Sequence, residues 1–353
     1  MQRLIATLIV ILACVCSGPS QILWEGRGRL VSPQIVFMKP VGGAIVPGPG
    51  AIYEVAVMNL DGSGFHQLTN DGKFKFLPHF SPDGTKIVYT KFFVGQYGSP
   101  NAVTDIAVYD LASNIETVIT HQGDAVQGTW APTGKRIAYL RIGPPSTMWT
   151  VDPDGSSPRQ IARESGAIDD LQWGDIAWSP DDWILFSVAQ NVNECFKVRT
   201  DKIRPDGSSR TQVSDGGPNC TPTGAEQSGD ADPGWSSDGK TIYSSRGFPV
   251  APANGPPGST ERKLYAFTSD PWYPGKPERD LSLPSEPSCI EGVPKASPDG
   301  ERVLLFRICF DSPTSQGGIY VTDTTGSYRS FVAEGFGPDW APGLFARNPP
   351  HRR

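Results

Sequence analysis

The stretch His79-Phe80-Ser81-Pro82-Asp83-Gly84-Thr85-Lys86-Ile87-Val88-Tyr89 decides the fold, because the chain repeats it. Thr129-Trp130-Ala131-Pro132-Thr133-Gly134-Lys135-Arg136-Ile137-Ala138-Tyr139 follows the same plan. So do Ala177-Trp178-Ser179-Pro180-Asp181-Asp182, Gly234-Trp235-Ser236-Ser237-Asp238-Gly239 and Lys295-Ala296-Ser297-Pro298-Asp299-Gly300. Asp339-Trp340-Ala341-Pro342-Gly343 is a shortened sixth copy. The Ser or Ala of each copy falls at 81, 131, 179, 236, 297 and 341, giving gaps of 50, 48, 57, 61 and 44 residues. Self-similarity at such a period marks a repeat architecture.

Each copy reads as a hairpin. Pro presets φ, Asp bonds back to the backbone and Gly accepts a left-handed φ, so Pro-Asp-Gly makes a tight turn. The Ile-x-Tyr pattern after it is a strand. A second turn series interleaves: Asp61-Gly62-Ser63, Asp154-Gly155-Ser156, Asp206-Gly207-Ser208 and Thr325-Gly326-Ser327. Strands are expected before these turns, over 53–59, 148–152, 196–203 and 319–323, and a short one after, as at 65–69. The unit is thus four antiparallel strands, A to D, the plan of a propeller blade. The N-terminus opens with a B-type strand, 34–38, and the C-terminus ends on an A-type motif. Joining the two completes a sixth blade and removes two exposed edges.

Composition agrees. The 353 residues include 39 Gly and 34 Pro, about one in five, and only 101–122 and 181–204 run past 20 residues without either. Helix interiors tolerate neither residue well, which excludes bundles, coiled coils and helical solenoids. With 38% hydrophobic residues, 9 Trp, 16 Phe and 10 Tyr, the chain can build a core. The expected class is all-β: a six-bladed β-propeller of four-stranded antiparallel blades. A net charge of −6 without a long basic run argues against nucleic acid as a partner.

Arg3 and the apolar run 4–13, interrupted only by Thr7, are too short to span a bilayer and read as a secretory signal. Ile11-Leu12-Ala13-Cys14 resembles a bacterial lipobox, which would leave a lipidated Cys14 at the new N-terminus; the alternative is ordinary cleavage near Gly18. The expected organisation is signal 1–16, linker 17–32, propeller 33–344 and tail 345–353.

Strand direction sorts the loops. The A–B and C–D turns are short and share one face. The B–C and D–A connections share the other and hold the insertions, at 92–103, 213–232, 247–262 and 311–318. Insertions on one face point to binding there. Cys195, Cys220, Cys289 and Cys309 all fall on this face; exported context favours disulfides, and nearest pairing gives Cys195–Cys220 and Cys289–Cys309 among three connectivities. Strand B ends on a cation in five blades: Lys39, Lys91, Arg141, Arg246 and Arg307. Acids open strand A at Asp124, Asp230, Glu291 and Glu334. Counting from the turns places Asp230 opposite Arg246, Glu291 opposite Arg307, Trp173 opposite Ala189, and Lys75 opposite Lys91. These pairs read as cross-strand braces or as a charged ring around a channel mouth. In the second case Lys75 and Lys91, with no acid in register, are the available anion contacts. Asp230-x-Asp232 is a weak cation motif, and the four His show no cluster with carboxylates. Motif residues Trp130, Trp178, Trp235 and Trp340 are expected to pack between blades.

The Trp-Ser-Pro-Asp-Gly hairpin with the Asp-Gly-Ser turns resembles TolB-like propeller repeats, over roughly residues 33–343. Related repeats occur in the propellers of prolyl oligopeptidases. TolB carries a further N-terminal α/β domain, for which the roughly 15–20 residues between signal and first strand leave no room, and no Gly-x-Ser-x-Gly of a hydrolase is present. The resemblance implies an exported, non-catalytic, monomeric propeller of the periplasm or outer membrane, or else secreted. It would hold a protein or peptide partner, use no cofactor or metal, and touch membrane only through a lipid on Cys14. A carbohydrate- or small-ligand-binding propeller and a polysaccharide lyase or hydrolase are the alternatives. Candidate binding residues are Lys75, Lys91, Arg141, Arg246, Arg307, Asp230, Asp232 and Glu291.

Overall fold

In the computed structural model the described residues are 24–25, 29–30, 34–42, 50–96, 99, 101–143, 145–163, 169–171, 174–192, 195–217, 228–248, 261–283, 289–310 and 316–343. Cys14, Trp173, Cys220 and most of the long insertions lie outside them, as do the side-chain surroundings of Cys195. The described residues contain strands and turns and no helix.

The fold is all-β, built from four-stranded antiparallel sheets. The first repeat forms Lys75–Phe80, Lys86–Val94, Val103–Asp110 and Ile115–Val118. The second forms Ala125–Trp130, Ile137–Arg141, Thr147–Val151 and Arg159–Arg163. A third sheet joins the chain ends: Phe336–Trp340 pairs with Ile35–Val41, followed by Ile52–Met58 and His66–Gln67. The three remaining repeats keep the same internal order but merge into one 13-stranded sheet. Parallel contacts Lys197↔Ser228 and Arg262↔Ile290 stitch strand C of one repeat to strand A of the next.

The turns follow the sequence. Gly84, Gly134, Gly239 and Gly300 all have φ between 70° and 78°, and Asp182 takes the same left-handed place at 71°. The Ser81, Ser179 and Ser236 hydroxyls donate to Asp83, Asp181 and Asp238 at 2.6–2.7 Å, locking each turn. Hydrophobic clusters lie between adjacent repeats: Val88, Ile106 and Ile119 meet Ala125, Trp130 and Tyr139. The motif Trp residues bridge neighbours as expected, with Trp235 Nε1 donating to Ala177 O (3.2 Å) and Trp340 Nε1 to Lys295 O (2.9 Å).

One feature of strand A has no signal in the turns. Four residues before the motif Ser or Ala, the strand bulges, and the extra residue is left-handed: Leu77, Gln127, Asp232, Val293 and Gly337 have φ of 48–59°. A bulge bends its strand and redirects its side chains. In the third repeat strand A is instead split into Asp169–Leu171 and Ala177–Trp178, with Asp175 in the equivalent place.

Candidate functional site

The strand A residues of all six motif copies converge on one cleft of about 220 Å³. His79, Thr129, Ala177, Gly234, Lys295 and Asp339, each two places before the motif Ser or Ala, line it, with Pro82 and Pro132 of the short turns at its rim. The cleft therefore opens on the short-turn face.

Its floor is a buried ionic web. His79 Nε2 lies 3.0 Å from Asp175 Oδ1, and Lys295 Nζ pairs with the same carboxylate. His79 Nδ1 is 3.6 Å from Asp339 Oδ2, which also accepts the Phe80 N–H at 3.0 Å. The Asp175 N–H donates to Asp232 Oδ1 at 2.9 Å. Five repeats thus meet through side chains. Burial opposes charge on His79, but Asp175 and Asp339 outweigh it and raise its pKa. Burial likewise opposes the Asp175 carboxylate, yet His79 and Lys295 hold it down at about 2. Asp232 goes the other way: desolvation, reinforced by Asp175 and opposed by Arg262, raises it. Two carboxylates with separated protonation behaviour sit within one cluster. Contrary to the expectation that no His clusters with carboxylates, His79 meets Asp175 and Asp339. His79 and Asp175 are 96 residues apart, and only the converging strands join them.

Apart from Asp232, which joins this web, the charged residues singled out in sequence lie elsewhere, as braces. Asp230 faces Arg246 and Glu291 faces Arg307 in the expected register. Arg246 binds Asp230 through two bonds of 2.8 Å and adds Glu278; Glu291 serves Arg307 at 3.1 Å and Arg329 at 2.6 Å. Lys75 does face Lys91, but neither lacks an acid. Lys75 is fully buried, 2.9 Å from Glu54 and paired with Asp71, while Lys91 pairs with Asp71 (2.7 Å) and Glu116. Glu54 and Glu116 come from other strands and Asp71 from the loop before Lys75, none of which a count within one hairpin can see. Arg141 binds Asp124 in fork geometry at 2.8 Å twice. Asp170, not Trp173, lies opposite Ala189, because the split strand A holds three extra residues rather than one. Asp230 and Asp232 are strand residues with separate partners, not a loop pair. Among the described residues no group of His, Cys, Asp and Glu is arranged to hold a metal ion. Cys289 and Cys309 are cross-strand partners joined by a disulfide.

No protein-family model matches the chain. The TolB homolog of Chlorobium luteolum is 28% identical over 144 residues, 41% of this chain and 30% of that protein. The TolB homolog of Chlorobium chlorochromatii is 23% identical over 150 residues, 42% of this chain and 31% of that protein. TolB from Acinetobacter baumannii superposes with a TM-score of 0.57 at 18% identity, over 88% of this chain and 67% of that one. This chain resembles TolB. The matched segment spans about a third of the length of those two curated TolB relatives, and the structural match shows a TolB-like propeller fold.

Proposed function

We propose that six four-stranded repeats close into a ring, with Phe336–Trp340 as innermost strand of the sixth blade. We propose further that the chain is an exported, non-catalytic protein-binding propeller of the bacterial envelope. In this reading residues 1–16 are its signal, 17–32 a linker, 33–344 the propeller and 345–353 a tail, with Cys14 as a lipid anchor. The observation that carries the reading is an apolar hairpin tip. Val94 and Val103 are cross-strand partners at the 92–103 connection of the first repeat, on the long-loop face. They are 55% and 38% exposed, and Phe93 beside them is 37% exposed. Grouped exposed apolar side chains mark contact surfaces. The resemblance to TolB, some of whose homologs are named Tol-Pal system proteins, supports an envelope partner. The quenched charges support it too: Lys75, Arg246, Arg307, Asp230 and Glu291 brace the fold, leaving apolar contact as the driving term.

The test is affinity capture from envelope extracts with the mature chain, against a Val94→Asp/Val103→Asp variant. A partner held saturably by the parent and lost by the variant is the expected outcome. Equal capture by both refutes the placement of the surface; turnover of a polysaccharide panel refutes the non-catalytic reading.

A further inference from the structure

We propose that the second repeat carries a binding site for an acidic saccharide at its long-loop end. A cavity of about 340 Å³, at the lower end of the range for small-molecule sites, is lined by Asp124, Arg141, Thr147, Trp149, Gln160 and Arg163. Strand register explains the convergence. Arg141 pairs with Thr147, Thr147 with Arg163 and Trp149 with Gln160, so these side chains share one face of the sheet. Leu140 and Met148, between them, turn into the core.

The chemistry is specific. Asp124 fixes Arg141 through Nε and Nη2, which leaves Nη1 without an acceptor among the described residues. The Gln160 and Arg163 side chains are exposed and make no hydrogen bond among the described residues. The Trp149 indole N–H is taken by Thr147 Oγ1 at 2.9 Å, so the half-buried ring offers the cavity only carbon. Arg141 lies over that ring at 5.7 Å. Asp124 and, at longer range, Asp105 act on Arg141, while Arg163 makes no ion pair among the described residues and is the guanidinium that a ligand carboxylate matches in fork geometry. The Gln160 amide donates and accepts, as sugar hydroxyls require. The electron-rich face of the indole packs against the C–H face of a sugar ring. A free phosphate would satisfy the guanidinium groups and leave both Gln160 and Trp149 unused.

The site shares no residue with the apolar hairpin of the first repeat, so either proposal can fail alone. The mature chain is titrated with a short oligouronate, followed by amide and indole NMR shifts. A neutral oligosaccharide of the same linkage and an acidic hexapeptide serve as competitors. Saturable binding with shifts at Trp149 is expected. Arg163→Gln and Gln160→Ala, both at exposed positions, should each weaken it at least tenfold, with circular dichroism unchanged. The neutral sugar should bind at least tenfold more weakly, and the Val94→Asp/Val103→Asp variant as the parent does. No saturable binding, unchanged affinity in Arg163→Gln, or equal binding of the neutral sugar or the peptide overturns the proposal.

Discussion

Asp175→Asn tests the central web most directly, because one carboxylate there serves two cations. Its side chain is 1% exposed, with His79 at 3.0 Å and Lys295 paired to it. Removing one member of a buried ion pair leaves an uncompensated charge and costs about 3–5 kcal/mol. Asn keeps the shape and one hydrogen bond to His79, so the lower end, about 3 kcal/mol, is expected. The pH dependence gives a second signature. His79 has a raised pKa, so its contribution is fully present below its ordinary 6.5 and is lost as pH rises through the folded value. Asp175 is lowered from 3.8 to about 2, so its contribution is present above 3.8 and is lost as pH falls toward 2. The stability gap between parent and Asp175→Asn should therefore be widest between pH 3.8 and 6.5 and narrow on both sides. Urea titrations at pH values spanning that window measure the gap, and imidazole NMR follows His79, whose pKa should fall in the variant. A variant that unfolds at the parent's urea midpoint, or a His79 pKa that does not move, would refute the web as a stabilising element.

Lys75→Met should cost about 3–5 kcal/mol in chemical denaturation, since it strands a nearly buried Glu54 with only Thr69 and Gly72 as donors. Adding Glu54→Gln should recover much of that loss, and strict additivity of the two changes would exclude a coupled pair. Cys289→Ser/Cys309→Ser opens a loop with a sequence separation of 20. By chain entropy it should lose about 3 kcal/mol, seen as a lower urea midpoint under non-reducing conditions; an unchanged midpoint would refute the bridge as a staple.

The turn chemistry was legible because Gly and Asp at fixed offsets encode backbone angles that few residues adopt. Register was legible for a less obvious reason. Near the turn of the fourth repeat, Trp235 pairs with Ile242, three places before and four after Asp238. The bulge at Asp232 adds one residue to strand A, and beyond it Asp230 and Arg246 lie eight places each side. A symmetric count is therefore right at the mouth only because an unread bulge corrects it. In the third repeat the insertion is three residues, and the same count misplaces Trp173. The partners of Lys75 and Lys91 escaped for a different reason: Glu54 belongs to the neighbouring sheet, Asp71 to the loop four residues before Lys75, and Glu116 to the last strand of Lys91's own sheet, all outside the hairpin that the count covers. His79 and Asp175 carry the same difficulty over a longer distance.

The bulge also separates what the repeat fixes from what it leaves free. A non-glycine residue held left-handed costs about 1–3 kcal/mol, and Leu77, Gln127, Asp232 and Val293 all accept that cost. The neighbouring strands must over-determine the conformation, and the gain lies in where the side chains go. Leu77 and Val293, from the first and fifth repeats, reach one apolar cluster with Met38 and Phe76. Asp232 reaches the backbone of Asp175. The repeat thus supplies one geometry five times, and residue choice at a single slot makes one part of the interior apolar and another ionic. Once this interior is filled by side chains from non-adjacent repeats, a ligand need not pass through it. On the proposed reading, recognition then falls to the outer surfaces, where the hairpin of the first repeat and the cavity of the second present unlike chemistries on the same long-loop end.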